Sequence, residues 1–174
     1  MPLRSLRVMP VVILLVVALA PFRAVAALEP LPEPSGEVIL TISGDIAHAN
    51  AGDEARFDRA MLNRLASRTI VTDTPWHEET GRFEGPLFTA LLDAVGAEAE
   101  QVRVGALNGF EAKIPVTDFQ RYDVILAMRF NGDRVPIRDF GPLLVMYPFD
   151  EHPELHTEVI RFRSVWQVDR IFVY

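Results

Sequence analysis

The stretch QVRVGAL–NG–FEAKIPV, residues 101–116, constrains this chain more than any other. Val102, Val104 and Ala106 recur every second residue before Asn108-Gly109, and Phe110, Ala112 and Ile114 do so after it. A period of two places those side chains on one face of a strand. Asn-Gly supplies the two positive-φ residues of a type I′ turn, so the segment is expected to be an antiparallel hairpin with one buried face. A second candidate follows in VILAMRF–NG–DRVPI, around Asn131-Gly132. The fold must therefore be built around sheet.

The rest of the chain alternates strand and helix signals. VILTI (38–42) reads as a first strand, followed by a polar, glycine-containing loop. FDRAMLNRLA (57–66) spaces Phe57, Met61 and Leu65 at i, i+4 and i+8 with Leu62 alongside, which predicts a helix. SRTIVT (67–72) is a second strand. GPLFTALLDAVGA (85–97) reads as a helix with Pro86 in its first turn and Gly96 as its stop. PLLVMYP is a short apolar strand buried on both faces, PELHTEVIRFRS a helix begun by Pro153, and VWQVDRIFVY a last strand. Sheets with helices laid on them make an α+β domain. There are no internal repeats.

The first residues bear on compartment. MPLRSLR is basic, VVILLVVALA is apolar, and the small residues of AVA precede ALEP. That order is a secretory signal peptide over residues 1–26, cut after Ala26. The apolar run is about half of the roughly 20 residues that span a bilayer. The expected organisation is a signal peptide (1–26), a Pro-rich leader (27–36) and one domain (37–174), exported to the periplasm. Cleavage leaves 14 basic against 24 acidic residues, moving the net charge from −7 to −10. So acidic a surface repels phosphate backbones and anionic lipid, which argues against nucleic-acid and direct membrane binding. With no cysteine in the chain, stability must come from packing rather than disulfides.

Catalytic motifs are sparse. His152 and His156 in HPELH have i, i+4 spacing, but Pro153 stands where a metalloprotease needs its general-base Glu. His48 and His77 are isolated loop histidines, and no G-x-S-x-G elbow, Walker loop or GxGxxG occurs. The unusual segment is TDTPWHEETGRFEG (72–85), where a tryptophan sits at the mouth of a turn after the second strand.

An ordered set of pieces carries a resemblance: Phe83-Glu84-Gly85, Leu91-Leu92, Ala106 to Phe110, Ile114 to Asp118, Ile125 to Ala127, Asn131-Gly132, Gly141 to Pro148 and Arg163 to Trp166. In that order they resemble the molybdopterin-binding domain of the sulfite oxidase superfamily, across nearly the whole of residues 27–174. In those enzymes a cysteine thiolate, about a dozen residues before the W-x-G-type motif, ligates molybdenum; here that position falls near Asp73, in residues 72–74. The pattern is similar to a small exported, cysteine-less subfamily, some of whose members are periplasmic pterin-binding regulators of membrane cyclic-di-GMP enzymes that control surface attachment.

The resemblance implies a sulfite oxidase-type fold and a reduced pterin, such as tetrahydromonapterin, as ligand without molybdenum. It also implies a partner in the periplasmic domain of a membrane signalling protein, a cyclic-di-GMP cyclase–phosphodiesterase or a sensor kinase. The alternative is a diverged molybdopterin-dependent oxidoreductase or a subunit of one. A pterin site needs an aromatic plate and a carboxylate for the amino edge. Trp76 fills the first role or is a hydrophobic lid over the following helix entry. Asp73 or Glu78 fills the second. Asn108 is a turn residue or a donor to the ligand. Tyr147, Asp150, Arg161 and Arg163 lie where the enzymes hold the cofactor's tail. Trp166 is expected in the core.

Overall fold

A computed structural model describes residues 31–174. The expected signal peptide and the start of the leader lie outside the described residues, as do the side chains of His77 and Glu78. In chain order the elements are β1 (Val38–Gly44), β2 (Ala55–Asp58), α1 (Arg59–Leu62), β3 (Ser67–Thr74), β4 (His77–Pro86) and α2 (Phe88–Ala94). Then come β5 (Gln101–Ala106), β6 (Glu111–Pro115), α3 (Val116–Tyr122), β7 (Ile125–Ala127), β8 (Arg129–Phe130) and β9 (Asp133–Arg134). β10 (Leu144–Met146), α4 (Glu158–Arg163) and β11 (Val168–Val173) complete the fold, with 3₁₀ turns at Ile137–Asp139 and Pro153–Leu155.

Three sheets result, in the α+β arrangement expected. The largest has the order β2-β1-β11-β5-β6. β1 lies parallel to β11, and the other neighbours are antiparallel. Period-two alternation buries Leu40 and Ile42 of β1, Val102 and Val104 of β5, and Ile171 and Val173 of β11. α3 lies against β5 and β6, and α2 packs on α3. Phe88 and Phe119 stack there at 4.0 Å and 10°. Each fully buried side chain of this kind contributes about 1.5–3 kcal/mol.

The second sheet, β3-β4-β8-β9, and the pair β10-β7 build the other half. The two are joined where β4 passes β7. A Cβ at Gly85 would collide with the Leu126 carbonyl oxygen, so the glycine of the Phe83-Glu84-Gly85 motif is there for close backbone approach.

Several sequence expectations change in the structure. Residues 57–66 are not one helix: Phe57 belongs to β2, opposite Leu40, and α1 is a single turn. The Asp58 carboxylate stops the strand by accepting from the Met61 N–H at 2.8 Å. Phe57, Met61 and Leu62 are buried all the same, the first from a strand and the other two from the helical turn. Pro86 ends β4 rather than opening a helix. The hairpin at Asn108-Gly109 forms, with Val102 opposite Ile114, but not about a two-residue type I′ turn: only Gly109 has positive φ (85°), and Asn108 accepts the Phe110 N–H on its side chain at 2.9 Å. The type I′ pair of positive φ values is found at Asn131 (51°) and Gly132 (90°). Residues 124–130 divide: β7 pairs with β10, and β8 with β4. The helix expected from Pro153 is a 3₁₀ turn and then α4, capped by Thr157, whose hydroxyl accepts from the Ile160 N–H at 3.3 Å.

Candidate functional site

The turn that carries Trp76 is a tight hairpin, with Pro75 and Trp76 between Thr74 and His77. Its polar groups are turned to holding the fold together. The buried Thr72 hydroxyl donates to the Asp73 carbonyl and accepts the Asp150 N–H, both at 3.0 Å. The Asp73 N–H donates to Asp150 Oδ2 at 3.1 Å, and the Thr80 hydroxyl donates to Asp73 Oδ1. Lower on β3, both Nη2 contacts of Arg68 go to the Glu151 carboxylate. Asp73 and Asp150 thus clamp β3 to the segment after β10.

Tyr147 and Arg163 form a second knot. Tyr147 is fully buried, and its hydroxyl donates to Asp118 Oδ2 at 2.9 Å. Arg163 Nη1 donates to the same oxygen at 2.8 Å. Burial, and then the Asp118 charge and hydrogen bond, push the Tyr147 phenol far above its ordinary range. The phenol therefore serves as a hydrogen-bond donor to Asp118.

Trp76 is half-buried. It meets Phe149 edge-on at 6.0 Å and Trp166 at 5.9 Å, and Trp166 meets Phe140 at 4.6 Å. Trp166 is not in the core as expected: it is 43% exposed. The reason is local. Gln167, at φ 53°, turns the chain before β11 begins, so Trp166 escapes the alternation of the strand. Beside it opens a cleft of about 190 Å³, lined by Asn108, Phe110, Arg161, Phe162, Ser164 and Trp166. Phe110 and Phe162, both lining it, meet edge to face at 4.9 Å. Arg161 is exposed at the rim, paired with Glu158 at 3.0 Å.

The structure therefore divides the eight candidate residues. Asn108 and Arg161 share the cleft. Trp76 touches Trp166 without lining the cleft, and Asp73, Asp150, Tyr147 and Arg163 are engaged in the two structural knots. The side chain of Glu78 lies outside the described residues. Sequence reading missed Phe110, Phe162 and Trp166, because in a pattern of alternating or helical apolar residues each scores as core. Their available signal was position: the first borders a turn, and the last precedes a chain reversal.

The donors bear on what the cleft's surroundings can hold. At residues 72–74, where the resemblance puts a metal-ligating thiolate, the chain offers a Thr72 hydroxyl bonded to the Asp73 carbonyl and the Asp150 N–H and an Asp73 carboxylate that accepts from the Thr80 hydroxyl, and it has no cysteine anywhere. This set does not fit thiolate-ligated molybdenum. An aromatic-walled cleft with an amide and a guanidinium at its edges does fit a planar heterocycle.

Comparison with known proteins supports the same fold. Residues 55–149, more than half of the chain, match the oxidoreductase molybdopterin binding domain. No curated protein matches. Among solved structures, the crystal structure of the sulfane dehydrogenase SoxCD from Paracoccus pantotrophus superposes with a TM-score of 0.57 at 17% identity. The match covers 78% of this chain and 37% of that one, so this chain spans well under half of that relative's length. The chain belongs to the oxidoreductase molybdopterin binding domain family.

Proposed function

We propose that this protein is an exported pterin-binding module that performs no molybdenum chemistry. The observation that carries the reading is a contrast: the groups at the position of the metal ligand are taken up by the Thr72–Asp73–Asp150 hydrogen bonds, whereas an aromatic cleft at Trp166, which Trp76 touches, stays open. A reduced pterin such as tetrahydromonapterin would lie against Trp166. Asn108 and Arg161 would meet its polar edges, and Trp76 would buttress Trp166. Stacking of this kind is worth about 0.5–1.5 kcal/mol beyond burial. The cleft is smaller than the roughly 300–1,000 Å³ of most ligand sites, which favours a bicyclic head over an extended cofactor.

In this reading the bound state is sensed in the periplasm by a second protein, the periplasmic domain of a membrane cyclic-di-GMP enzyme or sensor kinase. The ligand biases that partner only through a difference in free energy between two forms of the complex. Pulldown from membranes with and without pterin tests the partner; recovery of no membrane signalling protein in either condition contradicts it. A second reading, a diverged oxidoreductase or a subunit of one, draws on the family to which the chain belongs. Elemental analysis separates the two. The module should purify without stoichiometric molybdenum and without sulfite or sulfoxide turnover, while about one metal per chain, held without thiolate, would favour the oxidoreductase.

A further inference from the structure

On another part of the surface, a groove runs between the end of the leader, β1, α1 and β9. Two adjoining hollows of about 400 and 500 Å³ share Glu37, Ile39, Arg59 and Arg134. One end is apolar, with Val38, Leu107 and Ile137 exposed along it. The other end is cationic. Arg59 Nη1 is buried and has no acceptor among the described residues. Such a group is costly unless something satisfies it.

The local charges make the cost larger. Burial, then repulsion from Arg134 and Arg129, lower the Arg59 pKa, against a smaller opposing pull from Glu37. The other carboxylates facing the groove are committed elsewhere. Asp58 accepts from the Met61, Ser35 and Gly36 N–H groups, and Asp169 pairs with Arg170 at 2.8 Å. Neither Arg59 nor Arg134 makes an ion pair among the described residues. Two arginines, Arg59 and Arg134, thus line both hollows, on a chain of net charge −7.

We propose that this groove binds a small organic anion, with its carboxylate or phosphate head on Arg59 and Arg134 and its apolar body along Leu107, Ile137 and Val38. Arg59 and Arg134 both line the two hollows and supply guanidinium donors for charge-assisted bonds to the head, Arg134 from an exposed position. Asn63 lines the same hollow and supplies a neutral partner.

Calorimetric titration of the purified protein with inorganic phosphate, hexyl phosphate and hexanoate tests the site. One or both hexyl compounds should bind saturably and more tightly than inorganic phosphate, and the tighter of the two identifies the head. Arg134→Gln, at an exposed position that the fold does not need, should weaken binding about tenfold, the loss of one charge-assisted contact. Arg59→Gln should do at least as much, and Ile137→Ser should weaken the hexyl compounds alone. Arg121→Gln, on α3 outside the groove, should change nothing. Absence of saturable binding by all three probes overturns the proposal, as does equal weakening by Arg121→Gln and Arg134→Gln. Inorganic phosphate binding as tightly as the hexyl compounds removes the apolar subsite.

Discussion

The corner that holds Thr72, Asp73 and Asp150 and the cleft that holds Asn108, Arg161 and Trp166 are linked through Trp76, which follows the first in the chain and touches Trp166 of the second, and they are opposites in kind. In the corner Thr72, Asp73 and Asp150 are hydrogen-bonded within the fold, and Tyr147, Asp118 and Arg163 form a second knot of the same kind. In the cleft the aromatic side chains are exposed although the fold has a well-filled core elsewhere. Polar side chains that resemble a ligand set can be wholly structural, and apolar ones that resemble core can be the free surface. What separates them is whether the neighbours already satisfy them.

That contrast can be broken by substitution, with the largest effects on stability expected in the knots. Asp118→Ala leaves the Tyr147 hydroxyl buried without an acceptor and Arg163 without its carboxylate. Urea denaturation should show a loss of about 3 kcal/mol. A loss below about 1 kcal/mol would mean that the knot is a passive contact. Thr72→Val keeps the shape and removes the acceptor for the Asp150 N–H, so it should cost about 2 kcal/mol by the same measurement. Trp166→Ala, at a half-exposed position, should cost no more than about 1 kcal/mol. A larger loss there would place Trp166 in the structural class with Thr72.

Asp58 sharpens the comparison through pH. The Met61 N–H, followed by those of Gly36 and Ser35, holds its carboxylate at about 2, below the usual 3.8, against the opposing effect of burial. A depressed folded-state value stabilises above the unfolded pKa and is lost as pH falls toward the folded one. Acid titration of stability should therefore show a contribution present above about pH 4 and vanishing toward pH 2, absent in Asp58→Asn. An unchanged profile in the variant would contradict the assignment of Asp58 as the tether of residues 35–36.

Much of the fold was legible because its signals are local. The shared buried face of β5 and β6 follows from alternation about Asn108-Gly109, and α2 ends at Ala94, two residues before Gly96, whose φ is 60°. The failures were of two kinds. Phe57, Met61 and Leu62 fit a helical period although Phe57 reaches the core from a strand, because burial can be satisfied by either geometry. The two Asn-Gly pairs look alike in sequence, yet only Asn131-Gly132 closes a two-residue turn; at Asn108 the side chain takes over the Phe110 N–H. The site was harder. That Asp73 is tied to Thr80 and Asp150 depends on β3 meeting a segment about 77 residues later, a long-range pairing that spacing does not encode.

The central claim is that the pterin's place is the open cleft and the closed corner is scaffold. Calorimetric titration with tetrahydromonapterin on the wild type, Trp166→Ala and Asp73→Ala tests it most directly. The account predicts saturable binding by the wild type, a loss of about tenfold or more in Trp166→Ala, and binding by Asp73→Ala within about twofold of the wild type. Loss of binding in Asp73→Ala with Trp166→Ala unchanged, or no binding by the wild type, would contradict it.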